Sequence, residues 1–101
     1  MNQCKYYPIK NTLLKVPHMG WNSINIEKPS SMFNHLDKEI RYYFVHSYYV
    51  QCHDKKDILT TTDYGHSFTS MVEKGNIYGA QFHPEKSHAF GLELLTNFAN
   101  L

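Results

Sequence analysis

Cysteine is scarce in this chain, with two residues among 101, Cys4 and Cys52, and no Cys-x-x-Cys pair. That excludes a disulfide-stapled framework and points to reducing surroundings. No apolar run approaches the ~20 residues that cross a bilayer. The opening Met1-Asn2-Gln3-Cys4-Lys5-Tyr6-Tyr7 lacks the apolar stretch of a secretory signal. An excess of one charge is missing too, since 10 basic and 9 acidic residues are scattered without blocks and give a net +1. Neither nucleic acid nor an anionic membrane surface therefore has an electrostatic reason to bind. No linker rich in proline, glycine or serine divides the chain, and no repeat is visible. One small domain, or a piece of a larger one, fits this length, with a modest core. These absences together predict a soluble, cytoplasmic protein.

What is abundant is aromatic and histidine side chain: eight Tyr, six Phe and seven His. Residues 1–14 are weakly patterned and predict no element. Val16 to Ile26 reads as extended chain broken by Pro17 and Gly20. From Pro29-Ser30-Ser31 a short irregular or one-turn helical piece runs to about Asp37. Arg41 to Val50 reads as one strand, apolar on both faces, which predicts burial from two sides. A second strand, Ile58 to Thr62, stops at the turn signal Asp63-Tyr64-Gly65. Phe68–Glu73 and Ile77–Phe82 flank Lys74-Gly75-Asn76 as a hairpin. Ser87 is placed to cap a helix running to about Asn100, on which Phe90, Leu94, Leu95, Phe98 and Leu101 form an apolar stripe. One terminal helix covers one sheet face only, so a strand buried on both sides predicts a further covering element, an N-terminal half or a partner chain.

The densest chemical signal is Gln81-Phe82-His83-Pro84-Glu85-Lys86-Ser87. Residues two apart in extended chain point to the same side, so His83 and Glu85 can face one pocket. Pro84 holds its own φ near −65° and pushes His83 into the extended region. A carboxylate beside an imidazole can fix its tautomer and orientation, as a general acid/base needs. Taken alone, the pair reads more often as two polar residues at a strand-to-helix turn. The histidines His18, His35, His46, His53, His66, His83 and His88 contain no His-x-x-x-His or His-Glu-x-x-His spacing, so no metal site is expected.

The same segment resembles the His-Pro-Glu signature of the class I (Cys-His-Glu) glutamine amidotransferases. Lys15-Val16-Pro17-His18-Met19-Gly20-Trp21-Asn22 is similar to the Pro-His-Met-Gly-Trp-Asn segment of one branch, the glutaminase subunit of imidazole glycerol phosphate synthase. Tyr43-Phe44-Val45-His46-Ser47-Tyr48 resembles that branch's Tyr-Phe-Val-His-Ser/Thr-Tyr strand, and Gly91-Leu92-x-Leu94-Leu95-x-Asn97-Phe98 resembles its closing helix. The match runs from about residue 13 to 101, in the family's order. The resemblance implies an α/β, flavodoxin-like fold of which the chain holds the C-terminal strands, largely β with hairpins, and the terminal helix. It implies that His83 is the acid/base and Glu85 its orienting group. Ser47 and Tyr48 fall where the strand lies along bound glutamine. Met19, Trp21, Tyr43 and Lys86 fall at the interface with the cyclase subunit. The implied reaction is cofactor-free hydrolysis of glutamine, the ammonia passing to the cyclase partner of a heterodimer in histidine biosynthesis.

The departure from the family is the nucleophile. Its cysteine sits in a Gly-x-Cys-x-Gly strand-to-helix turn whose neighbourhood supplies oxyanion donors. Cys4 and Cys52 have no flanking glycine, and both read as structural or incidental despite His53 beside Cys52. Residues 1–101 are thus expected to be the C-terminal portion of one amidotransferase domain, inactive alone and marginally stable or self-associating through uncovered surface. Two alternatives stay open: a non-catalytic remnant that only binds the cyclase, and an amidotransferase of a surface-sugar pathway.

Overall fold

Aromatic and β-branched side chains pack well on a pleated, half-buried surface, and the middle of this chain is rich in both. In the computed structural model, which describes residues 4–9, 14–33 and 39–101, they form most of the strands. In order these are β1 (Cys4–Pro8), β2 (His18–Ser23), β3 (Asn25–Ile26), β4 (Arg41–His46), β5 (Tyr48–Cys52), β6 (Ile58–Asp63), β7 (Ser67–Lys74) and β8 (Ile77–Ala80). One helix, α1 (His88–Ala99), closes the chain. Short 3₁₀ turns, Lys55–Asp57 and Pro84–Lys86, lead into β6 and α1. None of the described helices is long and apolar enough to cross a membrane.

All described pairings are antiparallel. A six-stranded sheet runs β1-β5-β7-β6-β3, with β8 also paired to β7, while β2 and β4 form a separate two-stranded ribbon. The expected hairpin turns are present. Gly65 (φ 80°) lies between β6 and β7, and Gly75 (φ 60°) with Asn76 between β7 and β8, in backbone conformations that glycine adopts without a Cβ clash. The core gathers Ile24, Met32, Phe33, Tyr42, Phe44, Leu59, Phe68, Met71, Phe82 and Leu94. Buried Thr60 and Thr62 are satisfied by Ser70 across the β6–β7 pair, at 2.7 and 2.9 Å.

Several expectations need correction. Arg41–Val50 is two strands, because at Ser47 the chain leaves the ribbon and enters the sheet. Burial of β4 alternates: Tyr42, Phe44 and His46 face the core, while Tyr43 and Val45 are half-buried on the ribbon's outer face. Within this chain the second apolar face is left open to a further covering element. Residues 4–8, for which the sequence predicts no element, form β1, paired to β5 from Cys4↔Cys52 to Pro8↔Tyr48. That strand is held by ladder bonds with Lys5 to Pro8 exposed, so it leaves no apolar periodicity to read. On α1 only Gly91 and Leu94 are buried, while Leu92, Leu95 and Phe98, and Leu101 just past its end, are exposed. Finally, Ser87 precedes α1 but makes no side-chain cap bond. The expected end of the Pro29 piece, and His35, lie outside the described residues.

Candidate active site

Past β8 the chain continues to ladder on its neighbours. Gln81 N–H donates to Ser70 O and His83 N–H to Tyr43 O, both at 2.9 Å. Between them Phe82 turns inward and stacks flat on Tyr42, ring centroids 4.0 Å apart. That anchor forces His83, next along the chain, to the half-exposed side. Pro84 opens the 3₁₀ turn at a first position, where a missing N–H costs nothing. Ser87 is completely buried, and its hydroxyl is engaged away from the helix end: it donates to His83 O at 2.6 Å and accepts from Tyr43 N–H at 3.0 Å. One side chain thus ties the turn to β4. Gly91, one helical turn on, lets α1 approach this turn, because a Cβ there would collide with the Pro84 carbonyl.

On this scaffold His83 Nδ1 and Glu85 Oε2 lie 3.0 Å apart. An ionised carboxylate only accepts, so Nδ1 carries the proton and Nε2 is left as the basic nitrogen. The Glu85 carboxyl is held below the usual range. Its own backbone N–H contributes most and partial desolvation opposes, with the His83 bond, the His83 charge and Lys86 adding to the lowering. Glu85 is therefore ionised where His83 needs an acceptor. The sequence placed these two together, and the structure does the same.

The other sequence candidates fall into two places. Met19 and Trp21 lie on the outer face of β2, in register with Val45 and Tyr43 of β4. Trp21 meets Tyr43 edge-on at 6.2 Å and stacks on His88 at 5.6 Å. His88, the first residue of α1 at φ 50°, was not singled out by its sequence context. Lys86 is exposed on the 3₁₀ turn beside this face. Ser47 and Tyr48 lie past the end of β4, at the bend where the chain changes sheet. Ser47 is half-buried and the Tyr48 ring is 57% exposed. The structure shows no contact joining them to His83 or Glu85. Cys52 is half-buried at the end of β5.

Sequence reasoning missed a buried histidine pair. His18 and His46 stand opposite each other in the β2–β4 register, with His18 Nδ1 2.8 Å from His46 Nε2. Asn22 Nδ2 lies 3.3 Å from His18 Nε2, and His46 Nδ1 lies 2.7 Å from Tyr48 O. Rings enclose the pair: His18 stacks on Tyr64 at 3.8 Å and on Phe44 at 4.9 Å, and Phe68 lies 5.1 Å from His46. Burial, then the neighbouring His46, lowers the His18 pKa from 6.5 to about 4. Burial also lowers that of His46, against the Tyr48 carbonyl bond that raises it. The available signal was parity, since each histidine shares a strand face with core or buried-side residues. No group of three or more metal-binding side chains occurs among the described residues.

A family model described as glutamine amidotransferase class-I matches residues 8–100. Among curated proteins, the imidazole glycerol phosphate synthase subunit HisH 2 of Methanococcus maripaludis is 57% identical over 84 residues, 83% of this chain and 42% of the relative. The HisH subunit of Leptospira borgpetersenii is 50% identical over 88 residues, 87% of this chain and 43% of that one. For Salinibacter ruber HisH the figures are 52% over 88 residues, 87% and 40%. The chain thus spans about two-fifths of the length of these relatives. In fold it is similar to the solved structure of a putative GMP synthase subunit from Thermoplasma acidophilum. The TM-score is 0.74 at 17% identity, over 98% of this chain and 48% of that one.

Proposed function

Since the chain belongs to the class I glutamine amidotransferases, we propose that it is the C-terminal portion of a glutaminase subunit of imidazole glycerol phosphate synthase. The carrying observation is the His83–Glu85 pair, locked at 3.0 Å on a turn tied to β4 by Ser87. Identity near 50% to several HisH subunits supports this branch of the family over others.

In this reading the nucleophile is a cysteine from the part of the domain that this chain does not span. His83 Nε2 takes the thiol proton, and the thiolate attacks the side-chain amide carbon of glutamine. The tetrahedral intermediate collapses as the His83 imidazolium returns the proton to the departing nitrogen, releasing ammonia. Water, deprotonated by the same imidazole, then cleaves the thioester to glutamate and free thiol. Glu85 holds the imidazole in the tautomer that leaves Nε2 basic and offsets the charge that forms. Ser47 and Tyr48 line bound glutamine. Met19, Trp21, Tyr43 and Lys86 meet the cyclase subunit, so ammonia crosses a heterodimer interface in the cytoplasm without release to solvent.

The test uses the complete glutaminase with its cyclase. His83→Ala is expected to lower glutamine-dependent turnover by roughly 10²–10⁴-fold, the range for a lost general acid/base. Ammonia-dependent turnover by the cyclase should persist. Equal loss of both activities would overturn the role of His83, and normal glutamine use would do so too.

A further inference from the structure

We propose that His18 and His46 are positioning residues for the glutamine-binding bend, forming a one-way hydrogen-bond relay that fixes the backbone at Ser47–Tyr48 and works only while both rings are neutral. The proposal rests on the glutaminase reading for the identity of the substrate. The relay itself follows from atoms in the structure.

Its direction is fixed from both ends. The Tyr48 carbonyl only accepts, so His46 Nδ1, at 2.7 Å, must carry a hydrogen. Neutral His46 then has a bare Nε2, and His18 Nδ1, at 2.8 Å, must donate to it. Neutral His18 in turn has a bare Nε2, which accepts from the Asn22 amide. The amide cannot turn over without loss. Its oxygen accepts from Ser23 N–H at 2.8 Å, and its nitrogen also donates to Asp63 O at 2.9 Å. One tautomer assignment satisfies every atom, with both rings protonated at Nδ1.

A proton added anywhere breaks the chain. On His46 it would set two N–H groups against each other at 2.8 Å, and on His18 it would face the Asn22 NH₂ group. Apolar rings on several sides leave a charge unsolvated: Phe44 lies against both histidines, and Phe68 beside both. Tyr64, stacked on His18 from the β6–β7 turn, is the other titratable ring packed on the pair. No carboxylate among the described contacts approaches either ring to stabilise an imidazolium.

The relay ends where the chain crosses from ribbon to sheet. His46 bonds the carbonyl two residues ahead, and Ser47 O accepts from Ile9 N–H at 2.9 Å, so the bend is held on both sides of Ser47. A bend without these clips loses the alignment of its backbone groups along a substrate, which weakens binding before it slows chemistry.

The experiment measures glutamine steady-state kinetics on the complete glutaminase with its cyclase, beside ring ¹⁵N NMR of the wild type. Losing the clip in His46→Leu should raise the glutamine KM about tenfold, the equivalent of one buried hydrogen bond. The value of kcat should change less, and ammonia-dependent turnover should be unchanged. His46→Asn, which keeps a donor at the Nδ1 position, should recover most of the loss. NMR should find both rings in the Nδ1–H form and neutral at pH 6. A normal glutamine KM in a folded His46→Leu enzyme overturns the proposal. If that variant fails to fold, an Nε2–H tautomer at His46, or titration of either ring near 6.5, overturns it instead. Wild-type enzyme with cyclase that releases no ammonia from glutamine would sink the glutaminase reading, while the tautomers would still decide the relay.

Discussion

Ser87 sits where a helix cap was expected, yet its hydroxyl serves the backbone of two other elements. By accepting from Tyr43 N–H and donating to His83 O, it fixes the height of the turn that carries His83. Ser87→Ala would leave Tyr43 N–H without its acceptor, at a cost of about 1–3 kcal/mol before relaxation, whereas His83 O keeps the Lys86 N–H at 3.0 Å. The expected outcome is a drop of roughly 1–3 kcal/mol in the urea-unfolding free energy of the complete domain, at or above the ~1 kcal/mol of an ordinary cap loss. The role was illegible because it depends on how close β4 comes, which no local pattern states. His83 and Glu85 were legible for the opposite reason: Pro84 between them fixes the local geometry, and their contact spans only two residues. His18 and His46 meet across 28 positions of sequence, so only the strand register brings them together.

Among the elements, α1 shows most clearly how packing edits an amphipathic pattern. The apolar stripe predicted a helix correctly, but the closest approach is made by a glycine. Gly91 N–H donates to Ser87 O at 3.1 Å, and its missing side chain leaves room for the Pro84 carbonyl. Gly91→Ala normally favours a helix by about 0.5–1 kcal/mol. Here the clash is with backbone, and the expected result is net destabilisation of roughly 1–3 kcal/mol, as for other overpacked sites. Calorimetry of the complete domain should show a lower Tm, and a higher Tm would show that α1 can shift away freely. Apart from β1, strands were legible in type and mostly in extent. The break at Ser47 was not, because both halves of Arg41–Val50 are equally strong β-formers and only the separate sheets distinguish them. The outward apolar residues of β2 and β4 were legible only in part for a related reason, since an apolar face predicts a cover without naming which one.

For the whole molecule, the buried histidines set the response to acid. His18 has a folded pKa of about 4 against an ordinary value of 6.5, with burial the larger cause and His46 the second. Between those values the unfolded chain binds more protons, so stability is fully present above about 6.5 and is lost as pH falls towards 4. From this group alone, urea unfolding at pH 5 should show a loss of about 2 kcal/mol relative to pH 7.5. His18→Phe should flatten that slope, and an unchanged slope would assign the acid sensitivity to other groups. Leu92, Leu95 and Phe98 on α1, with Leu101 just past it, meanwhile remain on the surface as apolar area of the kind that folded proteins usually cover. The fold family was legible from four motifs in order; the identity of whatever covers this face was not, because a covering surface leaves its signature in its own sequence.

The stack of Trp21 on His88 also gives the molecule an internal optical probe. Trp21 is the sole tryptophan, it is 39% exposed, and it lies on the face proposed for the cyclase. Within these 101 residues its fluorescence therefore reports one place only. When a partner covers that face, water leaves the indole and the emission maximum should move to the blue, so docking can be titrated by light without any label.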